Sequence, residues 1–329
     1  MGQLAAGPRR VVVAVTPATV TIVGIGAIGQ QILAAALVDQ RIAVRACVDE
    51  REDLARVAAA CGFGGPTCAR LDGAPAAEVV ALLTSSRVAD IAPLAIAALG
   101  RGHDVVTTCE ELIAPQLADA EAAAELDRAA REHGRTVLAC GVNPGFCMDL
   151  LPLVLTIATR ELEEVRVVRR TDVSRRRRQL QQKLGVGLSP AEFERLASSV
   201  GIGHVGLRAS TACLAGALGW HGDVDETVEP VLDDAGSAVL GVRHRATARD
   251  RDGRIRIRAL LEMYAGVVEL DEVTIDGVPP LTVSVPGGVA GDEATVSTVL
   301  NAIAGVGRLP PGLLTPVDLV PPAWWSASG

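Results

Sequence analysis

Aromatic residues are scarce in this chain of 329 residues: Phe, Tyr and Trp together make up 2% of it. Proteins that bind single-stranded nucleic acid stack the bases on such rings, and few rings are available here. The formal net charge of −8 also has the wrong sign for a surface that follows a phosphate backbone. We therefore expect no nucleic-acid partner.

Long apolar runs, paired cysteines and clustered histidines are missing as well. No stretch offers the roughly 18 uninterrupted apolar residues that identify a transmembrane helix, so no membrane association is expected. The seven cysteines are odd in number and form no Cys-x-x-Cys pair, which suits a reducing compartment and predicts a cytoplasmic protein. The five histidines are scattered and match no ligand template, so we expect no metal.

Small aliphatic residues dominate instead, and hydrophobic residues make up 49% of the chain. A chain of this length is expected to form about two domains. From about residue 20 to 141, short β-branched runs alternate with Ala-rich windows, which predicts a parallel sheet with helices on both faces. The predicted strands are Val20–Val23, Ile42–Val48, Val79–Thr84, Asp104–Thr108 and Thr136–Gly141, and the predicted helices are Ala27–Leu37, Glu52–Ala60, Val88–Leu99 and Leu117–His133.

The pattern changes after about residue 150. Ser189 and Glu192 form a capping box with Pro190 at the first helical position, so a helix is expected to begin there. The turn dipeptide Asp252-Gly253 precedes an alternating run, which indicates an antiparallel sheet with one solvent-exposed face. The other expected elements are helices at Asp149–Thr159, Ser210–Leu218 and Asp292–Ile303, a strand at Val165–Arg169, strands between Thr227 and Val285, a solvated basic loop at Arg175–Arg178 and an irregular tail.

A glycine-rich segment between the first predicted strand and the first predicted helix is the most specific motif. Gly24, Gly26 and Gly29 have the G-x-G-x-x-G spacing of a dinucleotide-binding turn. The first permits the tight turn, the second lets the backbone approach a pyrophosphate, and the third lets helix and strand pack closely. Ala27 and Ile28, at the start of the helix, would present backbone amides to the pyrophosphate. The segment predicts NAD or NADP as the cofactor.

Two charged residues after the second predicted strand leave the choice between these cofactors open. Asp49 follows Gly29 by twenty residues, where a carboxylate can bind the adenosine ribose and would repel the 2′-phosphate of NADP. Arg51 could bind that phosphate or remain solvated. Both residues are therefore expected at the cofactor, without a preference for NAD or NADP.

In an open α/β sheet, the chemistry takes place beyond the carboxyl ends of the strands. Glu110 directly follows a predicted buried strand, so its carboxyl group can be drawn into the cleft and its pKa raised toward the range of a general base. Glu111 should point elsewhere. The alternative is that both are ordinary helix acids favoured by the dipole. The residues at these strand ends that we expect at the cofactor are Thr84, Ser85, Ser86, Cys109 and Asn143.

Three parts of the chain, taken together, carry a family resemblance. They are Thr107–Leu112, Gly141–Asp149, and Gly201–Leu207 with Leu218-Gly219-Trp220. In this order they resemble the 2,4-diaminopentanoate dehydrogenase family, and especially its offshoot, the native NAD(P)-dependent amine dehydrogenases. Asp172–Arg176 and Leu180–Lys183 resemble the amine dehydrogenases more than the diaminopentanoate enzymes.

The resemblance implies a fold of the dihydrodipicolinate-reductase type and a homodimer formed through the second domain. It also implies that Glu110 handles the substrate amine and that Asn143 lies beside the nicotinamide. Phe146 and Met148, in the second of the three parts, would line the substrate pocket. His204 has two interpretations, a pocket residue beside the substrate or a structural histidine between two glycines.

Pattern and resemblance together predict an α/β fold with an N-terminal doubly wound Rossmann domain and a second α+β domain that carries a mostly antiparallel sheet. Residues 1–148 are expected to form the dinucleotide-binding domain. Residues 149–290 would form the substrate-binding and dimerisation domain. Residues 291–329 would form a C-terminal helix and tail that return toward the Rossmann domain.

The expected activity is that of an NAD(P)-dependent amine dehydrogenase. Such an enzyme carries out the reversible reductive amination of a small ketone or aldehyde with ammonia, by hydride transfer. One alternative is a 2,4-diaminopentanoate dehydrogenase, which would need polar anchors for a carboxylate and a second amine. The other is a non-catalytic nucleotide-sensing protein, which would keep the glycines and would not need an acid at Glu110.

Overall fold

The computed structural model describes residues 16–174, 176, 178–199 and 206–319. The strands in this part of the chain are β1 (Ala18–Val23), β2 (Ile42–Val48), β3 (Thr67–Cys68), β4 (Val79–Leu82), β5 (Asp104–Thr107), β6 (Thr136–Ala139), β7 (Glu164–Asp172), β8 (Val224–Leu232), β9 (Val239–Arg249), β10 (Ile255–Tyr264), β11 (Leu270–Asp276), β12 (Leu281–Pro286) and β13 (Gly312–Leu314). The helices are α1 (Ala27–Ala36), α2 (Leu54–Ala60), α3 (Val88–Gly100), α4 (Ala120–Glu132), α5 (Leu150–Leu155), α6 (Arg178–Lys183), α7 (Pro190–Ser199), α8 (Leu207–Ala217) and α9 (Gly291–Gly305).

The first sheet, sheet A, has seven strands in the order β13-β6-β5-β4-β1-β2-β3, and all of its pairings are parallel. Every residue of β4 and β5 is buried, as in the middle of a parallel sheet that is covered on both faces. β1 lies between β2 and β4, so the strand order reverses there. This reversal is where open α/β sheets bind their ligands, and the predicted doubly wound domain is confirmed.

The second sheet, sheet B, has the order β12-β11-β7-β10-β9-β8. β7 and β10 run parallel, and the other pairings are antiparallel. Along β10, Ile257 and Ala259 are buried while Arg258 is exposed, which is the period-two alternation of a strand with one face in the core. The predicted α+β domain with a mostly antiparallel sheet is confirmed.

Local sequence signals place several helix ends correctly. The backbone N–H and the hydroxyl of Ser189 donate to the Glu192 carboxylate at 3.0 and 2.6 Å, and the Glu192 N–H donates to the Ser189 hydroxyl at 3.4 Å. The predicted capping box therefore forms at the start of α7. Gly134, beyond the end of α4, has φ of 62°, a left-handed conformation that glycine adopts without steric cost.

Two elements of the second domain begin where the sequence did not place them. α8 starts at Leu207 and not at Ser210, because Gly206, with φ of 133°, turns the chain directly into the helix. The predicted basic loop is helical from Arg178, where α6 begins. The start of α8 has no side-chain cap that would mark it in the sequence.

The C-terminal part of the described chain lies against the first domain. Val299, Leu300 and Ile303 of α9 share a hydrophobic core with Ile32 and Leu33 of α1. The tail is not wholly irregular as predicted, since β13 extends sheet A beside β6. Only three residues form this strand, which is too short for a periodic pattern to show.

Asp149 ties the two domains together. Its carboxylate is fully buried. It accepts hydrogen bonds from the backbone N–H of Gly145 at 2.8 Å, from the N–H of Leu150 at 2.7 Å, and from the hydroxyl of Ser210 at 2.8 Å. These partners belong to the loop after β6, to the start of α5 and to α8. One side chain thus fixes the loop at the end of sheet A against the second domain.

This network predicts a graded loss of stability. Ser210→Ala removes one of three donors to a buried charge and should lower the free energy of unfolding by about 1.5 kcal/mol. Asp149→Ala leaves buried N–H groups without an acceptor and should cost about 3 kcal/mol or more. Urea denaturation measures both. The control is Ser284→Ala, which removes an exposed hydroxyl bonded to Glu272. An equal loss in the free energy of unfolding at Ser210 and Ser284 would contradict the role of the Asp149 network.

Candidate functional site

A cavity of about 430 Å³ lies at the carboxyl ends of β4, β5 and β6, between sheet A and the second domain. This is the edge of an open α/β sheet at which ligands bind. The first domain supplies Ile28, Leu83, Thr84, Ser85, Ser86, Thr108, Glu110, Cys140, Gly141, Val142, Asn143 and Pro144. The rest of the lining consists of Arg169, Thr171, Arg176, Gln179, Leu180, Lys183, Met263, Gly291, Asp292 and Thr295.

The glycine-rich turn between β1 and α1 has the shape that a dinucleotide requires. Gly24 has φ of 94°, and a Cβ on Gly29 would lie 2.0 Å from the carbonyl oxygen of Gly24, so α1 presses directly on the turn. A Cβ on Gly26, in contrast, would meet no atom within 4 Å. The space beside Gly26 is open, as the approach of a pyrophosphate to the backbone demands. Ala27 and Ile28 begin α1, so their amides lie at the helix N-terminus.

Asp49 and Arg51 lie against this turn. The Asp49 carboxylate accepts hydrogen bonds from the backbone N–H of Ile25 at 2.7 Å and of Arg51 at 3.1 Å. The Arg51 guanidinium donates to the Ile25 carbonyl at 3.0 Å and to the Asp53 carboxylate at 2.6 Å. Arg51 in turn holds the pKa of Asp53 below its usual range. Both predicted residues therefore border the expected adenosine end of the cofactor, and the positive charge of Arg51 is compensated.

Glu110 opens the short 3-10 turn Glu110–Ile113 after β5 and lines the cavity. Its Oε2 atom is buried, and no residue of the described chain donates a hydrogen bond to it. Among the described residues, Lys183 forms an ion pair with it, with Nζ 3.9 Å from Oε2. Burial raises the pKa of Glu110, while Lys183 lowers it and Glu111 raises it further. A buried carboxylate without a donor is a costly arrangement, and such perturbed groups cluster at functional sites.

Glu111 has a different role from its neighbour. Its Oε2 accepts a hydrogen bond from the backbone N–H of Val88 at 2.7 Å, at the first residue of α3. Its own N–H donates to the Ser86 carbonyl at 3.1 Å. Glu111 therefore stabilises the start of α3 and does not line the cavity. The two adjacent carboxylates thus have different roles.

Close backbone contacts require glycine at both ends of the loop from Gly141 to Gly145. A Cβ on Gly141 would lie 2.7 Å from the Pro144 carbonyl oxygen. A Cβ on Gly145, whose φ is 125°, would lie 2.6 Å from the Gly141 carbonyl oxygen. A Cβ on Gly206 would lie 2.8 Å from Cδ of Pro144. The peptide bond between Asn143 and Pro144 is cis. The loop is thus folded on itself, covered by the turn before α8, and presents Asn143 to the cavity.

Other expected residues divide into those that line the cavity and those that do not. Thr84, Ser85 and Ser86 line it, as Asn143 does. Cys109 is packed in the core of sheet A, where burial raises the pKa of its thiol to about 12. Its side chain therefore does not line the cavity, where the sequence places it.

Phe146 and Met148, expected in the substrate pocket, are not part of the cavity lining. Met148 is buried in the core of the second domain and Phe146 packs against that core. The chain turns inward after Gly145, so these side chains point away from the cavity. His204 lies outside the described residues.

Sequence reasoning gave no role to several side chains that the second domain brings to the cavity. Arg176, placed by prediction in a solvated loop, lines the cavity and donates to Glu269 at 2.8 Å. Lys183, at the end of α6, faces Glu110. One signal was available: Lys183 is the only lysine in the chain.

Each cation that lines the cavity has an acidic neighbour in the described structure. Arg169 is buried and contacts Asp271 at 2.6 Å. Both residues also bond the backbone of Val289, just before α9. This pair is structural and fixes the N-terminal end of α9, with Asp292 and Thr295, at the cavity wall.

Two further findings concern the described residues only. No group of three or more His, Cys, Asp or Glu side chains is arranged to hold a metal ion. No helix is long and apolar enough to cross a membrane.

A family model and a curated relative match the same family, and the solved structures that match share the fold. Residues 146–328 match the model of the 2,4-diaminopentanoate dehydrogenase C-terminal domain. The 2,4-diaminopentanoate dehydrogenase of Acetoanaerobium sticklandii is 28% identical over 274 residues, which cover 75% of each protein. The structure of an amine dehydrogenase from Mycobacterium smegmatis matches with a TM-score of 0.78 at 20% identity, covering 94% of this chain and 98% of that one. GenD2 from gentamicin A biosynthesis, solved with NAD, matches with a TM-score of 0.53 at 18% identity, covering 87% and 75%.

Two of the three glycines of the turn, Gly26 and Gly29, are expected to respond differently to substitution. Gly26→Val fills open space, so it should leave the unfolding midpoint unchanged while weakening NADH and NADPH binding by roughly 100-fold or more. Gly29→Ala forces a Cβ against the Gly24 carbonyl and should destabilise the fold itself. Fluorescence titration and thermal unfolding measure the two effects. Unchanged cofactor affinity in a folded Gly26→Val protein would refute the cofactor site.

Proposed function

The chain belongs to the 2,4-diaminopentanoate dehydrogenase family, and from that premise we propose that it is an NAD(P)-dependent oxidoreductase acting on a carbon that bears an amino group. Its reaction is the reversible reductive amination of a small ketone or aldehyde with ammonia. The observation that carries the proposal is Glu110, whose buried Oε2 atom lies in the cavity with no hydrogen-bond donor in the described chain. An ammonium or iminium group would supply the missing partner.

In the oxidative direction Glu110 acts as the base. The substrate arrives as an ammonium ion, and only the free amine can release hydride, so the ammonium must first lose a proton to the Glu110 carboxylate. A nicotinamide cofactor, when bound, would supply the acceptor for the hydride of the amine-bearing carbon. Glu110, once it has returned its proton to solvent, faces the resulting iminium as a carboxylate and stabilises it. Water then adds to the iminium carbon, and ammonia leaves.

The residues around Glu110 suit a nicotinamide and a small substrate. Asn143 and Pro144 form one wall, and Thr84, Ser85 and Ser86 follow β4 on the same edge of the sheet. Leu180 and Met263 add apolar surface from the second domain. A cavity of about 430 Å³ that takes both the nicotinamide ring and the substrate favours a small substrate.

A substrate with a carboxylate, such as 2,4-diaminopentanoate, fits this charge arrangement less simply. Of the described cations in the cavity, Arg176 is engaged with Glu269 and Lys183 lies beside Glu110, so a carboxylate bound to either would share it with an acid. A nucleotide sensor is also disfavoured, because it has no use for a buried carboxylate without a donor. A spectrophotometric panel of ketones and aldehydes with ammonia, run separately with NADH and NADPH and alongside oxidation of 2,4-diaminopentanoate, separates the three. Turnover of the diamino acid alone would favour that alternative, and no turnover at all would favour the sensor.

The assembly is proposed to be a cytoplasmic homodimer joined through the second domain. Closed two-fold dimers are the commonest oligomers, and sheet B keeps one face rich in exposed polar residues such as Arg245 and Arg258. Light scattering at micromolar concentration should give twice the mass of the chain. A monomeric mass would contradict this.

Glu110→Gln should lower the rate of reductive amination by roughly 100- to 10,000-fold. The amide keeps the shape of the side chain but cannot take the proton or stabilise the iminium by charge. Cofactor affinity should remain near that of the wild type, as measured by fluorescence titration.

The matched control is Glu111→Gln, which removes the same charge one residue away. Its amide oxygen can still accept the Val88 N–H, so activity should change little. If Glu111→Gln were the inactive variant and Glu110→Gln the active one, the two roles would be reversed. Full activity in both would mean that the amine chemistry does not take place at this turn.

A further inference from the structure

We propose that Lys183 is a positioning residue of the amine site: its ammonium keeps the Glu110 carboxylate ionised, and its compact shape leaves that carboxylate free for the substrate. The proposal rests on the proposed function, since it takes Glu110 as the group that meets the amine. Lys183 acts through Glu110 and needs no contact with the reacting atoms.

The geometry places the two groups in the same cavity from different domains. Glu110 follows β5 of sheet A, and Lys183 ends α6. Nζ of Lys183 lies 3.9 Å from Oε2 of Glu110, with 41% and 22% of the two side chains exposed. This separation is too long for a hydrogen bond but within the reach of a strong charge interaction. Lys183 therefore influences Glu110 without occupying its oxygen.

Among the described cations that line the cavity, Lys183 is the one that faces Glu110. Arg169 and Arg176, which also line the cavity, contact Asp271 at 2.6 Å and Glu269 at 2.8 Å. Burial and the negative charge of Glu111, next in the chain, both raise the pKa of Glu110 and oppose its ionisation. A buried carboxylate with an acidic neighbour and no donor favours its protonated form, and a protonated acid cannot take a proton from an ammonium ion.

The identity of the residue points the same way. The chain has 31 lysine and arginine residues, and Lys183 is the only lysine among them. An arginine at this position would carry the same charge, but its planar guanidinium forms paired hydrogen bonds with a carboxylate. It would bind both oxygens of Glu110 and compete with the substrate. Lysine, a compact point charge on a flexible stem, supplies the charge without that competition.

Two substitutions separate charge from shape. Lys183→Met removes the charge and keeps a long, helix-compatible side chain. Without the nearby cation Glu110 binds its proton more tightly, so the acid limb of kcat/KM for amine oxidation should move to higher pH by about one pH unit or more. At a pH above the limb the rate should approach that of the wild type. Lys183→Arg should not move the limb upward, but it should raise KM for the amine several-fold while kcat changes less.

A measurement without turnover tests the same coupling. Because the chain has one lysine, protein labelled with ¹³C at the lysine ε-carbon gives one lysine resonance. Its chemical shift should show an inflection as Glu110 titrates, above the ordinary glutamate range, and Glu110→Gln should abolish that inflection. Cofactor affinity and thermal unfolding of the Lys183 variants should match the wild type.

The outcomes distinguish this proposal from the proposed function. Identical titration curves in the wild type and in Glu110→Gln, or an unshifted acid limb in Lys183→Met, would overturn the role of the charge. Wild-type KM in Lys183→Arg would overturn the role of the compact shape. Full activity in Glu110→Gln would instead refute the proposed function, whatever the lysine resonance shows.

Discussion

The hydrogen bonds of the buried Asp149 carboxylate are the constraint on which the site depends. They hold Gly145, at the end of the loop after β6, against Ser210 of α8. The same loop carries Asn143 and Pro144 to the cavity, and Gly206 packs on the Pro144 ring at the turn into α8. Removing a carboxylate from water is costly unless donors replace the water, and here three donors do so. The cost of burial is thereby offset by contacts that fix one domain against the other at the position where substrate must bind.

Asp149 and Glu110 show two ways in which the same chemical group is used. Burial raises the pKa of both carboxyl groups. In Asp149 backbone and hydroxyl donors oppose that effect, and the residue is structural. In Glu110 the opposing influence is the charge of Lys183, and no donor in the described chain reaches Oε2. The unsatisfied group costs stability, and proteins keep such costs where function requires them. The difference between the two carboxylates, more than burial itself, distinguishes the catalytic candidate from the structural acid.

Features that depend on neighbouring residues in the chain could be predicted from the sequence, whereas features that depend on tertiary contacts could not. The parallel sheet, the glycine turn and the Ser189 capping box depend on neighbours in the chain, and their patterns were sufficient. Glu110 and Asn143 line the same cavity, as the position of each after a parallel strand predicts, because parallel strands end at one edge of a sheet. Met148 was expected in the substrate pocket, but its contacts with the second domain place its side chain in the core. Such contacts do not show in the local sequence pattern. Lys183 was not assigned a role, since α6 meets Glu110 only through the tertiary fold, although its being the one lysine was visible from the start.

Both domains therefore contribute side chains to the cavity. The first domain supplies the acid and the glycine turn, and α6 of the second supplies the cation that keeps the acid ionised. The buried pair of Arg169 and Asp271 then holds Val289, so that α9 starts at the cavity wall before it packs on α1. In this arrangement a charge from one domain tunes a charge from the other over 3.9 Å. Because the Coulomb interaction weakens with separation, any movement of α6 away from β5 would raise the pKa of Glu110 and reduce its capacity as a base. The relative position of the domains, to which the Asp149 hydrogen bonds contribute, therefore affects the electrostatic environment of Glu110.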